Sequence, residues 1–209
     1  MLTANYQGNQ PAMSGYPRSR RSALLLGILL SLLSASYDAL GDPQEQRAQI
    51  GLRLFRTLLA ADEDLEQKAD AQGRLPLALI YRNDRRMAEE FAAALQTSGH
   101  GREQGKIKNH PIYAILMDDT HLNTLQEQVP AAIYLVQPLP DSALEGVIRY
   151  GVDHHRIVFS PFEGHVEKGV LAGLAIEVRV LPYINQTILK RSGIRLKNLL
   201  LKVAKFHES

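Results

Sequence analysis

The sequence predicts an α/β fold in which a mostly parallel sheet is flanked by helices, and two observations support this prediction. Between residues 75 and 160, four short apolar runs alternate with three segments of helical periodicity, which is the order of repeated strand–helix units. One of these runs, residues 133–136, is apolar without interruption, as expected of a strand buried on both faces. We therefore expect a single compact domain over residues 42–206.

The first helix of this domain is expected to begin after residue 42. Asp42 can cap it, Pro43 suits its first position, and Glu45 can reach back to the capping amide. Its apolar face has helical spacing and contains Ile50, Leu54, Phe55, Leu58 and Leu59.

The alternating elements then follow in a regular order. The predicted strands cover residues 75–81, 112–117, 131–136 and 156–160. Between them we expect a helix capped by Asp84, a helix over residues 120–129, and a helix that Asp141 caps and Gly151 ends.

The pattern changes after residue 160. Two adjacent extended segments are predicted at 170–176 and 178–184, followed by a short helix at 186–191 and a last helix at 197–206. The domain is thus expected to end in an extended pair and a helix.

The composition excludes several classes of function. The 209 residues contain 24 basic and 22 acidic side chains, for a net charge of +2, so the chain lacks the strong basic field of a nucleic-acid binder. No cysteine is present, which excludes disulfides, thiol catalysis and thiolate metal sites. Neither a Gly-x-Ser-x-Gly elbow nor a glycine-rich phosphate loop occurs. The sequence therefore predicts a protein that is not an enzyme and has no cofactor.

Residues 1–36 have the pattern of an export signal. Arg18, Arg20 and Arg21 precede an uncharged run of 11 residues at 23–33, within the roughly 7–15 of a signal-peptide core. Small residues at 34–36 then suit signal peptidase. Met13 would give a signal of more usual length and is a candidate initiator. The pattern predicts export to the periplasm, with an uncleaved membrane anchor as the alternative.

Two sets of residues are candidates for a metal site. Asp118 and Asp119 end a predicted strand and could hold Mg²⁺, although Asp119 or Thr120 would also serve as the cap of the next helix. His154 and His155 are adjacent, and adjacent side chains on a loop usually point apart. We therefore predict no metal site.

The ends of the predicted parallel strands offer one candidate ligand site. Arg82, Asp118 and Gln137 each lie at the carboxyl end of a strand or just after it, where open α/β sheets bind ligands. A small-molecule-binding module related to the receptors of ABC transporters would use this crevice.

The last third of the chain resembles the YfiR family of periplasmic proteins. The resemblance rests on the run Leu-Pro-Tyr-Ile-Asn at 181–185, the Ser-Gly-Ile break at 192–194 and the Leu-Leu-Leu-Lys-Val-Ala helix at 199–204. Upstream, the strands at 77–81 and 132–136 also fit, so the resemblance covers residues 50–206. It implies a fold like half of a periplasmic binding protein. It also implies a regulatory role, in which the protein binds and represses a membrane-bound diguanylate cyclase and lowers cyclic di-GMP and biofilm formation.

Two departures from the family affect what can be carried over. Cysteines that form disulfides in YfiR itself have no counterpart here, so redox control does not carry over. The polar residue that usually precedes Ile-Asn is replaced by Tyr183, after Pro182, which suggests a more apolar partner surface.

We predict that the partner contacts the segment around Tyr183, Asn185 and Leu189. Tyrosine is enriched at interfaces, and Pro182 favours an edge strand to which another chain could pair. Asn185 is also expected to cap the helix that follows, and Tyr183 and Leu189 could instead be ordinary core residues. The expected partner is the periplasmic domain of an inner-membrane diguanylate cyclase or sensor protein. The sequence leaves open a homodimer.

Overall fold

A computed structural model describes residues 43–208, with side chains from Gln46 onward. The helices are α1 Pro43–Ala61, α2 Arg85–Thr97, α3 Leu125–Gln128, α4 Asp141–Asp153, α5 Gln186–Ser192 and α6 Asn198–Leu201. The strands are β1 Leu75–Tyr81, β2 Lys106–Ile107, β3 His110–Asp118, β4 Ala132–Leu135, β5 Ile157–Ser160, β6 Ala172–Ile176, β7 Val180–Asn185 and β8 Lys205–His207. Short 3₁₀ turns cover Leu65–Lys68, Gly101–Glu103 and Asp119–Thr124.

All eight strands form one mixed sheet in the order β2-β3-β1-β4-β5-β6-β7-β8. The five central strands, β3, β1, β4, β5 and β6, are parallel to one another. On either side of them, β2 runs antiparallel to β3 and β7 runs antiparallel to β6. The chain crosses back between β1 and β4, as in doubly wound sheets of the flavodoxin type. The predicted fold class, a mostly parallel sheet flanked by helices in one domain, is confirmed.

Strands β1, β4 and β5 are buried on both faces because apolar helices cover the sheet from both sides. On β4, Tyr134 belongs to the core beneath α1 and α2, and Ile133 and Leu135 belong to the core beneath α4. The aromatic rings of Phe55 and Phe91 pack against Tyr134 from the helical side. This double burial explains why the sequence of β4 is apolar without alternation.

Three details of the C-terminal half and the connecting turns differ from the sequence-based expectation. The last helix ends at Leu201, and the chain then forms β8 alongside β7 instead of continuing as a helix to residue 206. Residues 120–129 form a 3₁₀ turn and one turn of helix, and Asp118 caps them. Asp141 is the first residue of α4 rather than its cap, and its carboxylate lies 2.7 Å from Lys168 Nζ.

The predicted export signal, residues 1–36, and the cap at Asp42 lie outside the described residues. Within residues 43–208, no helix has the length and apolar character needed to span a bilayer.

Candidate functional site

The crossover between β1 and β4 brings together the three residues of the candidate ligand site. Arg82 follows β1, Asp118 ends β3, and Gln137 comes two residues after β4, all at the carboxyl edge of the parallel strands. Such an edge is where doubly wound sheets bind ligands. The three residues therefore lie at the same edge of the sheet, and their use as a ligand site stays a prediction.

The side chain of Gln137 reaches from the end of β4 to the loop that follows β1. Its Oε1 accepts hydrogen bonds from the backbone amides of Arg82, Asn83 and Asp84, at 3.0, 3.1 and 3.1 Å. These amides lead into the N-terminus of α2, and clusters of this kind bind anions in many proteins. Here the chain supplies its own neutral acceptor at that position.

The other two residues of the crevice also have partners within the chain. Arg82 faces the carboxylate of Asp119 at 3.8 Å. Asp118 accepts hydrogen bonds from the hydroxyl and the amide of Thr120, and these bonds lower the pKa of its carboxyl. Across residues 43–208, no group of three or more potential ligand side chains is placed to hold a metal ion.

Tyr183 does not lie on an edge strand, so that expectation was wrong. Strand β7 pairs with β6 on one side and with β8 on the other, and Tyr183 lies opposite Lys205 of β8. The sequence-based interpretation failed because residues 205 and 206, the first two of β8, were assigned to a helix. The edge of the sheet is therefore β8.

Tyr183 is half-buried and lines a cleft of about 200 Å³. Lys205 Nζ lies 5.7 Å from the centre of its ring, and the hydroxyl of Tyr183 lies 3.4 Å from His207 Nδ1. Partial burial and then a hydrogen bond to Glu167 raise the pKa of Tyr183. The charged groups around this cleft are of both signs.

Asn185 and Leu189 have structural roles. Asn185 is 2% exposed; its Oδ1 accepts from the amide of Ile188 and its Nδ2 donates to the carbonyl of Val166. The predicted helix cap is thus confirmed, and the buried amide cannot reach a partner in this conformation. Leu189 is half-buried and packs against the core beneath α1 and α2.

The two adjacent histidines point apart, as expected. The ring of His154 packs on Tyr150, with centroids 4.3 Å apart, whereas His155 Nδ1 lies 2.6 Å from the carbonyl oxygen of Ser192. His155 has a left-handed backbone (φ 56°) just beyond the end of α4, a position that usually requires glycine. Its ring thereby joins the ends of α4 and α5.

A buried serine–histidine pair was missed in the sequence. Ser160 Oγ lies 2.8 Å from His165 Nδ1 and also accepts from the amide of Phe162. Burial lowers the pKa of His165, so the ring stays neutral. The five-residue spacing of a serine and a histidine gives no signal in a single sequence.

Exposed large apolar side chains are concentrated in the last third of the sequence. Of eight large apolar side chains exposed in the described residues, six lie after residue 175. We call this set the C-terminal apolar surface: Ile176, Val178, Val180, Leu199, Val203 and Phe206. Val178, at the tip of the β6–β7 hairpin, is fully exposed. Strand β8 runs parallel to β7, so the start of β8 lies nearer the β6–β7 hairpin than its end does. Val203, just before β8, therefore lies toward the hairpin.

Comparison with known proteins gives likeness of fold only. No family model and no curated protein matches the chain. Among solved structures, a conserved domain protein from Vibrio cholerae is 16% identical with a TM-score of 0.46, over 69% of this chain and 60% of that one. An ABC domain in complex with L-Trp from Streptococcus pneumonia is 15% identical with a TM-score of 0.44, over 71% and 61%.

A third likeness is to the ligand-free, open structure of a substrate-binding protein with adhesive properties from Clostridium difficile. It is 15% identical with a TM-score of 0.49, over 76% of this chain and 59% of that one. The chain thus spans about three fifths of the length of each of these three structures.

Proposed function

We propose that this chain is a periplasmic regulatory protein that binds and represses a membrane-bound diguanylate cyclase, and thereby lowers cyclic di-GMP and biofilm formation. Export depends on the signal pattern at residues 1–36, and the kind of partner follows from the resemblance to the YfiR family. The protein acts by stoichiometric binding and not by catalysis.

The observation that carries this proposal is the C-terminal apolar surface. Single exposed apolar side chains are ordinary, but a concentration of them in one region is typical of a protein interface. Val178 is fully exposed and Leu199 is 79% exposed, so both side chains lose apolar hydration only when another molecule covers them. Tyr183, beside this region, completes the proposed contact area.

The edge strand β8 adds a backbone contribution to that contact area. One side of β8 pairs with β7, and no other described strand pairs with its second side. A strand edge of this kind accepts an extended segment from another chain through main-chain hydrogen bonds. The apolar side chains around it would then provide specificity.

The mechanism follows from differential binding. A partner that exchanges between an active and an inactive conformation is shifted toward the one that this protein binds more tightly. Repression therefore requires only that the contact area fits the inactive conformation of the cyclase better than the active one.

Site-specific photo-crosslinking in cells tests the proposal. A photoreactive amino acid at position 178 should give a crosslinked product that contains a membrane diguanylate cyclase, identified by mass spectrometry. The matched control is position 129, where Val129 is also exposed (45%) but lies far from the C-terminal third in sequence and outside the proposed contact area. The proposal fails if position 178 yields no such product, or if both positions yield it equally.

The second candidate function is a small-molecule-binding module. The position of Arg82, Asp118 and Gln137 at the sheet crossover favours it. The side chain of Gln137 opposes it, because this side chain already satisfies the three amides that would hold an anionic ligand. A ligand that binds the purified chain with 1:1 stoichiometry and is lost in Gln137→Glu, whose carboxylate repels anions, would support this function over the first.

A further inference from the structure

A cavity lies between α1 and the end of α2. Its volume is about 710 Å³. The residues that line it come from the middle of α1 and from the end of α2 with the loop that follows, and they include Arg53, Arg56 and His100. This cavity is separate from the crevice at Gln137 and from the C-terminal apolar surface.

The cavity is positively charged. Two guanidinium groups line it, and no aspartate or glutamate does. The exposed side chain of Arg53 makes no ion pair or hydrogen bond with the described residues. Glu103 is near enough to affect the pKa of Arg56, but burial outweighs it and the pKa of Arg56 is lowered.

Arg56 has one end of its guanidinium satisfied and one end unsatisfied. Its Nη2 donates to the carbonyls of Glu103 and Lys106, at 3.5 and 2.7 Å, and so holds the loop after α2. Its Nη1 is buried and has no hydrogen-bond partner within the described residues. A buried donor without an acceptor costs free energy, so a rotation of the Arg56 guanidinium that brings Nη1 against an acceptor in the cavity would be stabilising.

The positive charge is not needed to satisfy the end of α2. The hydroxyl of Thr97 donates to the carbonyl of Ala93, and the hydroxyl of Ser98 donates to that of Leu95. These carbonyls at the helix C-terminus would otherwise be the natural partners of nearby cations. Arg53 therefore remains available for a ligand, while the hydroxyl protons of Thr97 and Ser98 do not.

We propose that this cavity binds a small oxyanion, held by the guanidinium groups of Arg53 and Arg56 and by the ring of His100. Arginine pairs with planar or tetrahedral oxyanions through parallel N–H···O bonds, so carboxylates and phosphates share the required chemistry. The cavity is larger than the anionic group alone, which leaves room for an organic part against Leu52 and Ala94. This site would add a small-molecule input to the proposed regulator, but it does not depend on that function.

Isothermal titration calorimetry of the purified chain at low ionic strength tests the site. Inorganic phosphate and succinate are the two probes, and they distinguish a phosphate ligand from a carboxylate ligand. Arg53→Gln should weaken binding of the preferred probe about tenfold or more, because a charge-assisted pair is lost. His100→Gln should weaken it less, and Arg53→Gln should keep its melting temperature because the side chain is exposed.

The control is Arg102→Gln. Arg102 is an exposed arginine in the neighbouring 3₁₀ turn, and it does not line the cavity. The affinity of this variant should stay within about twofold of the unchanged chain, a difference well under 1 kcal/mol. The site is disproved if neither probe binds up to about 10 mM, well beyond the 1 mM that marks a weak affinity. It is also disproved if both arginine substitutions weaken binding equally, which indicates non-specific charge attraction.

Discussion

At the residue scale, the pair of Ser160 and His165 makes the stability of this domain depend on pH. Both side chains are buried, and burial lowers the pKa of His165 below its ordinary value of 6.5. In the unfolded chain the ring takes up a proton near that ordinary value, whereas in the folded chain it does so only at lower pH. The unfolded state therefore binds more protons in the intervening range, and acid favours unfolding.

We predict that the free energy of unfolding falls as the pH is lowered from about 7.5 to about 5.5, through the unfolded pKa of this histidine. His165→Gln should flatten that dependence, because it removes the group that binds the proton. Urea unfolding at each pH measures it, and His121→Gln is the control, since the side chain of His121 is 71% exposed. Carboxyls with lowered pKa, such as those of Asp118 and Asp141, titrate below this range. An equal pH slope in His165→Gln and the unchanged chain would contradict the prediction.

At the element scale, the position of α1 depends on its close approach to the sheet at Gly51. A Cβ at this position would lie 2.9 Å from Pro161 Cβ, 2.9 Å from the Tyr134 hydroxyl and 3.2 Å from Phe159 Cε1. The two contacts at 2.9 Å are shorter than a real Cβ tolerates, so either α1 or its neighbours would have to shift if Gly51 carried a side chain.

Gly51→Ala should therefore destabilise the domain by about 1–3 kcal/mol, although alanine is the better helix former. Gly146→Ala is the matched control, because Gly146 is also inside a helix and a Cβ there would meet no other atom within 4 Å. That control should stabilise the domain by about 0.5–1 kcal/mol. Chemical denaturation of both variants gives the comparison, and equal shifts in the same direction would show that α1 is not held by close packing.

A buried ion pair joins the end of α1 to the rest of the domain. Lys68 Nζ lies 2.5 Å from Asp62 Oδ2, and the two side chains are 5% and 1% exposed. The backbone of Asp62 forms an isolated bridge with Leu196, and its carbonyl accepts from Lys108. The segments before β1, before β3 and after α5 therefore meet at this one residue.

Lys68→Met should destabilise the domain by about 3 kcal/mol, because it leaves the buried carboxylate of Asp62 without its partner. Asp62→Leu combined with Lys68→Met should recover much of that loss, since no charge is left buried. Glu90→Gln, which removes an exposed pair with Arg86, is the control and should leave the melting temperature unchanged. The interpretation is wrong if the double variant has a lower free energy of unfolding than Lys68→Met, because removing the second charge would then add to the loss instead of recovering it.

Local sequence signals predicted much of the fold, but they predicted less of the molecular surface. The apolar run of β4 and the caps at Asp84 and Asn185 are local signals, and the structure confirms them. Strand β8 could not be predicted because three residues carry no period, and its place beside β7 is fixed by long-range pairing. The exposure of Val178 follows from its place at the tip of the β6–β7 hairpin, between Ile176 and Val180.

At the scale of the whole molecule, the proposed function requires that the domain is exported. We predict that the mature protein begins near Tyr37, because residues 34–36 suit signal peptidase. Intact-mass measurement of protein isolated from the periplasm decides this. A mass that includes residues 23–33 would contradict the prediction and favour a membrane anchor.

The most direct test of the proposed function is the cellular concentration of cyclic di-GMP, measured by mass spectrometry in strains that differ only in this gene. Deletion should raise the concentration, and the unchanged gene should restore it. A gene with Val178→Ser and Val203→Ser should fail to restore it, while Val129→Ser should restore it fully, because only the first pair belongs to the C-terminal apolar surface. An unchanged or lower concentration after deletion, with the protein confirmed to be expressed in the parent strain, would contradict repression of a diguanylate cyclase.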